Sequence, residues 1–423
     1  MSLLIQPIKD ELHLSDTQLG FVTGLAFASF YAILGVPIAR WADRGNRVTI
    51  TSLAIALWGL TAMACLFVGN FVQLVFARVA AAVGESGCKP PTFSLVGDYF
   101  PETSERVRAM SFYWLSGPLA ALISPLLGGW LCALYGWRMT FFLMGIPGLL
   151  LAVLAKLTLV EPRSHARNLR LQETQLPPFR QVLKMLWQRH SCRQLIIGLV
   201  LLFAMAFGLD TWTAAFMMRS HGMRTAELGV WLGVTSGVSG MVGVLLGGYV
   251  ATRWFANDER GQMRMSAIAL AFTAPCYVGF LLLPEKHLAL MMLMPLMLAL
   301  NFFVAPIYAL MQRLVPDEMR ATTMAVIMLL YNLIGMGVAP QVVGFLSDGL
   351  NPLLGNESLR YAMLATAFVG LWAAYHFWQV GQTVEADLEV VASGGELGAG
   401  AGSDQTQVSL KTSKSTEPVP SFK

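Results

Sequence analysis

"TQLGFVTGL" at residues 17–25 and "AELGVWLGV" at residues 226–234 read as two versions of one segment. Gly20 aligns with Gly229, Gly24 with Gly233, Ala39 with Gly248 and Arg44 with Arg253, all at an offset of 209. Further along, "FPETSERVRAM" from Phe100 aligns with "VPDEMRATTM" from Val315. Pro125 and Gly128 fall on Pro340 and Gly344 at offsets of 215 and 216. Self-similarity over half a chain marks a duplicated unit, so the rest of the sequence is read as two copies.

Composition says what kind of unit was duplicated. Of 423 residues, 55% are hydrophobic and 13% charged, where soluble domains carry roughly 25% charged residues. Apolar windows of about 20 residues, the length that crosses a hydrocarbon core, recur near 17–39, 48–69, 71–93, 109–133, 139–160, 195–218, 228–251, 264–283, 288–311, 321–346 and 361–381. Six follow the longest polar interruption and five precede it. By the repeat, the first span of the second half maps to about −14 to 9, so residues 1–9 supply only the last third of a twelfth helix. The expected fold is an all-α polytopic membrane protein of two pseudo-symmetric helical bundles, with about 11 complete spans of an expected 12. Parallel repeats about an axis along the membrane normal are a transporter architecture.

The chain divides into an N-terminal bundle (1–160), a linker with an amphipathic helix (161–194), a C-terminal bundle (195–381) and a tail rich in Gly, Ser, Thr and Glu (382–423), expected to be disordered. No cleavable signal peptide is expected, since the apolar piece before Lys9 is too short.

Charge gives orientation. Arg40, Arg44 and Arg47 fall in one loop, and Arg106 and Arg108 two loops on. Eight of the 29 basic residues lie between Lys156 and Arg193, then come Arg253, Arg260 and Arg264, and Arg313 with Arg320. Basic residues in alternate loops mark the cytoplasmic side. The linker and C-terminus are therefore expected in the cytoplasm, in a bacterial inner membrane. The formal charge of +4 is explained by this topology and implies no nucleic-acid partner. The five cysteines lie singly, without metal or disulfide spacing. There is no Gly-rich phosphate loop, no His-Glu-x-x-His and no cofactor motif, so neither an enzyme nor a metal or cofactor site is expected.

"RVAAAVGESGCKP", residues 78–90, places three charges in an apolar span. At about 100° per residue, Arg78, Glu85 and Lys89 project from one face within about 20°. Ionisable groups inside a span face a cavity or a partner, because lipid exposure costs at least about 2.5–3.5 kcal/mol each. Arg78 and Glu85 read as cavity residues or as a packing ion pair, and Lys89, before Pro90-Pro91, as a snorkelling residue. Other polar interruptions of spans are Asp210, Asn301, Tyr331 and Asn332. Tyr31 and Phe30 could line the apolar end of an amphipathic substrate or simply pack. The glycine-dense "GVWLGVTSGVSGMVGVLLGG" (229–248) reads as close helix approach.

"ARWADRGNR" (39–47) resembles the signature loop of the major facilitator superfamily, with Ala39 and Asn46 where that superfamily favours Gly. Its second copy, "GGYVATRWF" (247–255), carries Thr252 in place of Asp43. Together with "ARVAAAVGESGCKPP" and "TWTAAFMMRSHGMRTAELG", the chain from about residue 3 to 381 resembles the Spinster-like branch of that superfamily. The resemblance implies a secondary transporter working by alternating access, with Asp43, Arg44, Arg47 and Arg253 in a gate latch. It further implies Glu85 in proton coupling and Arg78 in contact with an anionic substrate group, while the branch's acidic residue in helix 1 has no counterpart here. The substrate implied is an amphipathic anion such as a lysolipid or sphingoid phosphate. A small organic anion as cargo, or a transport-incompetent membrane protein that is either a scaffold or the product of a misassigned start, stays open. The protein is expected to act as a monomer in the bilayer.

Overall fold

The computed structural model describes residues 1–100, 102–162, 179–256, 258–315 and 319–392. The described residues form helices joined by short turns. After a 3₁₀ turn at Ser2–Leu4 come α1 (Ile5–Leu12), α2 (Asp16–Thr23), α3 (Leu25–Arg44), α4 (Arg47–Ala64), α5 (Phe71–Ser86), α6 (Lys89–Tyr99) and α7 (Thr103–Thr158). The second half comprises α8 (Phe179–Gln188), α9 (His190–His221), α10 (Thr225–Leu232), α11 (Ser239–Trp254), α12 (Glu259–Leu282), α13 (Lys286–Phe302), α14 (Val304–Arg313), α15 (Arg320–Leu330), α16 (Ala339–Leu354) and α17 (Ser358–Ala392). π-helical turns at Gly233–Val238 and Tyr331–Val338 link α10 to α11 and α15 to α16.

Nine helical segments of the described residues are long and apolar enough to cross a membrane. Two of them cross twice. In α7, Gly136 has φ 76° and ψ 171°, a region that glycine alone reaches without strain. The chain reverses there: Tyr99 bonds the backbone of Val160 and Arg106 bonds Phe100, so both ends of α7 lie at one face. Arg138, just past the break, bonds Val68 at the other face. The last segment reverses at Gly355, φ 54°. Seven single and two double crossings give the eleven spans expected.

The two faces are identified below by their buried charges as the Arg47 end and the Asp16 end. Alternate helix ends fall on each in turn, and the ends of α3 and α11, which carry Asp43 and Thr252, share the Arg47 end. The second-half core is the better sealed, with Trp212, Phe216, Tyr277, Phe280, Phe303 and Phe377 fully buried.

Two boundaries differ from the sequence reading. The span at 71–93 is two helices, because Gly87 and the Pro90-Pro91 pair, which cannot complete the helical ladder, interrupt it at Gly87-Cys88. Lys89 therefore opens α6, yet like Arg78 on α5 it faces α3, lying over Tyr31 as Arg78 lies over Phe27. The last helix runs on to Ala392, since Val384 is buried and Asp387 accepts from the Ser191 backbone N–H at 2.9 Å. Residues 382–392 are thus helical; 393–423 lie outside the described residues, as does 163–178 of the linker. α8 is amphipathic as expected: Val182, Met185 and Leu186 are buried, while Leu183 and Trp187 are exposed.

Candidate functional site

Arg78 and Glu85 stand two turns apart on α5, about 10 Å along its axis. α5 packs against α3 through a small cluster of Phe27, Ala81 and Ala82, which Tyr31 and Met336 complete. The Arg78 guanidinium lies 4.6 Å from the centre of the Phe27 ring, a contact worth about 2 kcal/mol when desolvated. Its Nε is buried and makes no hydrogen bond. A cavity of about 260 Å³ opens beside it, lined by Arg78, Trp58, Thr61, Ser124, Thr140 and Phe141 among others. The lining is mainly apolar, with the hydroxyls of Ser2, Thr61, Ser124 and Thr140 as its neutral polar side chains.

Asp210, from the other half, lines an adjoining cavity of about 190 Å³ with Thr213 and Ser236. The two cavities share Ser2, Ser124 and Pro125. The structure thus brings Arg78 and Asp210, one from each bundle, to a common wall. Tyr31 stacks on Phe27 at 6.1 Å and lies under the Lys89 ammonium at 5.8 Å. Tyr331 stacks on Phe203 at 4.2 Å, bonds Tyr308 and opens the π-helical turn that packs against α3. π-turns inside helices often mark functional positions. Asn332 sits in the same turn. Asn301 is apart from these: its amide donates to the Met297 carbonyl of its own helix at 2.8 Å and meets Gly240, a packing role.

The halves meet closely at the Asp16 end. A Cβ on Gly24 would lie 2.5 Å from the Gly337 carbonyl, and on Gly20 2.7 Å from that of Pro340. Across the pseudo-dyad, one on Gly129 would lie 2.5 Å from the Thr225 carbonyl and one on Gly237 2.8 Å from Leu122. Toward the Arg47 end of the same helices, Gly35, Gly117 and Gly248 face nothing within 4 Å. The bundles are pressed together at one end and apart at the other.

A charge cluster missed by the sequence reading seals the closed end. Asp16, 3% exposed, accepts from Lys9 at 2.5 Å, from both Arg219 Nη atoms at 2.7 Å and from Ser347 Oγ at 2.6 Å. Asp348 accepts from the backbone N–H groups of Asp16 and Thr17 at 3.0 and 2.7 Å, placing an anion at the N-terminus of α2 where the helix dipole favours it. The legible signal was "SDTQ": Ser15 and Gln18 form a capping box.

At the Arg47 end, Arg47 is fully buried. It bonds Glu161 through Nε and Nη2 at 3.0 and 2.5 Å, Ser94 at 2.8 Å and Asp98 at 2.7 Å. All lie in the first half, so the arginine ties α4, α6 and the end of α7 into one block. Arg44 and Arg253 are exposed. The Asp43 side chain lies outside those described.

Two pseudo-symmetric membrane bundles around a cavity lined by Arg78, pressed together at one end and apart at the other, have the architecture of a membrane transporter. The Major Facilitator Superfamily profile matches residues 1–340, and the chain belongs to that superfamily. An "MFS-type efflux pump" of Mycolicibacterium smegmatis is 32% identical over 92% of this chain and 89% of its own. A cis,cis-muconate transport protein of Acinetobacter baylyi is 24% identical over 87% of this chain and 86% of its own. A crystal structure of a bacterial homologue of the lysosomal transporter Spinster, inward-facing and unoccupied, superposes with a TM-score of 0.78 at 26% identity, covering 91% of this chain and 93% of that one. The protein is an integral membrane transporter of the Spinster-like branch.

Proposed function

We propose that the protein is a proton-coupled secondary transporter of an amphipathic anion, with Arg78 holding the anionic group and Glu85 carrying the proton. The observation that carries this reading is the Arg78 guanidinium: its Nε is buried without a hydrogen bond, and it lines a mainly apolar cavity that also carries the hydroxyls of Ser2, Thr61, Ser124 and Thr140. A buried donor left unpaired costs about 1–3 kcal/mol, which a carboxylate or phosphate would recover through the planar fork of arginine. Glu85, on the same face, can trade a proton against that anion. The positive-inside rule makes the Arg47 end cytoplasmic, so the open end faces inward. Asp210, Tyr31, Tyr331 and Asn332 complete the candidate lining, and Asp43, Arg44 and Arg253 the candidate cytoplasmic latch.

A small organic dianion is the second reading. It is favoured by the modest size of the Arg78 cavity, about 260 Å³, and by the name of the muconate relative.

The test is uptake into liposomes with lysophosphatidate and with muconate, with and without a pH gradient. Glu85→Gln should keep substrate binding and lose the dependence on the gradient. Arg78→Lys keeps the charge and loses the fork, so it should weaken binding about tenfold, as expected for a charge-assisted hydrogen bond, while keeping gradient dependence. Two folded variants with wild-type binding and wild-type gradient dependence would remove both roles.

A further inference from the structure

Outside the central cavity, the second half carries a groove of about 750 Å³ on its outer surface, between α12 and α13. Its floor is apolar, formed by Ile268, Ala269, Phe272, Pro295 and Leu298, and its upper rim holds Arg264. Ile268 and Phe272 are exposed, so the groove opens where lipid lies. From Arg264 to Phe272 it runs about 12 Å along α12 at the helical rise, the direction of an acyl chain. Arg264 stands one and a half turns inside the start of α12 at the Arg47 end, about 7 Å from the helix terminus.

The state of Arg264 points to the occupant. Its Nε is buried and makes no hydrogen bond, and it forms no ion pair among the described residues. Its guanidinium lies 5.4 Å from the centre of the Trp378 ring on α17, which holds it in place at the rim. Asp258, also on the rim, is engaged as the N-cap of α12, accepting from Gly261 N–H at 2.6 Å. Its charge is set against the positive helix terminus. Among the described lining residues the groove thus holds one cation, Arg264, whose Nε has no hydrogen-bond partner, and one carboxylate, Asp258, already engaged as a helix cap, over an apolar floor.

We infer that this groove binds an anionic phospholipid of the leaflet at the Arg47 end, with its phosphate on Arg264 and one acyl chain along α12. Basic pockets between membrane helices recognise such headgroups. This site is separate from the transport cavity and does not depend on the substrate assigned there.

The experiment is native mass spectrometry of the full chain released from nanodiscs containing equal amounts of phosphatidylglycerol and phosphatidylcholine. The wild type should retain phosphatidylglycerol about fivefold over phosphatidylcholine, the preference one basic residue confers at a membrane surface. Arg264→Gln should bring the ratio to that of the nanodisc, and Arg264→Lys should keep part of the preference. Ala269→Phe, which fills the groove floor, should lower retention of both lipids. If Arg264→Gln does not fold, the Arg264→Lys and Ala269→Phe arms still decide. Equal retention of the two lipids by the wild type, or a preference unchanged in Arg264→Gln, would overturn the inference. A dimer that buries the groove and excludes lipid would do so as well.

Discussion

Replacing Asp16 with asparagine should release the closed end. In the structure its carboxylate receives four hydrogen bonds, two of them from Arg219 and one from Ser347 across the bundle interface. The side chains of Asp16 and Arg219 are 3% and 10% exposed. Removing one member of a buried pair costs about 3–5 kcal/mol, and since asparagine still accepts from Ser347, the lower figure applies. The cost falls only on the state in which the halves touch at this end, because in the other state Arg219 and residue 16 are both solvated. At 1.4 kcal/mol per tenfold, about 3 kcal/mol moves the equilibrium between the two states roughly a hundredfold. Spin labels at His13→Cys and Asn351→Cys, both exposed positions at this end, report the change by pulsed electron resonance. The variant should show a longer, broader distance distribution than the parent. Asp16→Asn combined with Arg219→Gln should cost less than the two changes summed. A folded Asp16→Asn protein with the parent's distance distribution would refute the reasoning.

The Arg47 block gives a prediction about stability. Arg47→Met should destabilise by about 3–5 kcal/mol by stranding Glu161, and adding Glu161→Gln should recover a large part, since apolar or neutral replacement of a buried pair is far less costly than breaking it; melting in detergent measures both, and a double variant no better than the single one would count against the pairing. Glu11 gives a pH dependence. Burial opposes its ionisation, but hydrogen bonds from Arg138 and Trp137 outweigh that and hold its carboxyl below the ordinary value of 4.5. A lowered folded value means that its stabilisation is complete above pH 4.5 and is lost as pH falls through the folded value. The difference in melting temperature between wild type and Glu11→Gln should therefore shrink below about pH 4.5, and a constant difference down to pH 3 would contradict the assignment.

The span count and the duplication were legible because hydropathy and the offset of 209–216 are local properties of the sequence. Arg78 and Glu85 stood out as candidates for a related reason: a charge in an apolar span must face a partner or a cavity. The Asp16 cluster was not. Lys9, Asp16, Arg219, Ser347 and Asp348 come from distant parts of the chain, and each alone reads as an ordinary end-of-helix residue. Arg47 was read as part of a gate latch from the resemblance of its loop; its partners Asp98 and Glu161, which lie within its own half, were not legible, because that pairing is set by how α6 and α7 return to the same face. Asn301 read as a candidate for the cavity because it interrupts an apolar run. Its amide instead satisfies a carbonyl one turn back, which helical geometry permits wherever a polar side chain must be buried.

The duplication extends to the charges at the open end, with the signs exchanged. In the first half the start of α4 carries Arg47 and the end of α6 carries Asp98. In the second half the start of α12 carries Glu259 and the end of α14 carries Arg313, and these two also pair. The positions correspond within the repeat offset, so the same two helix ends are tied in both halves. The strengths differ. Arg47 is fully buried and held by three partners besides its own backbone, whereas the Arg313 side chain is 57% exposed, and an exposed pair contributes only about 0–1 kcal/mol. The first half is therefore stiff at the open end and the second half is loosely tied. Closing that end requires α11 and α3 to approach across the gap now faced by Gly35 and Gly248. Closure of that end is therefore expected to bend the helix ends of the second half more than those of the Arg47 block.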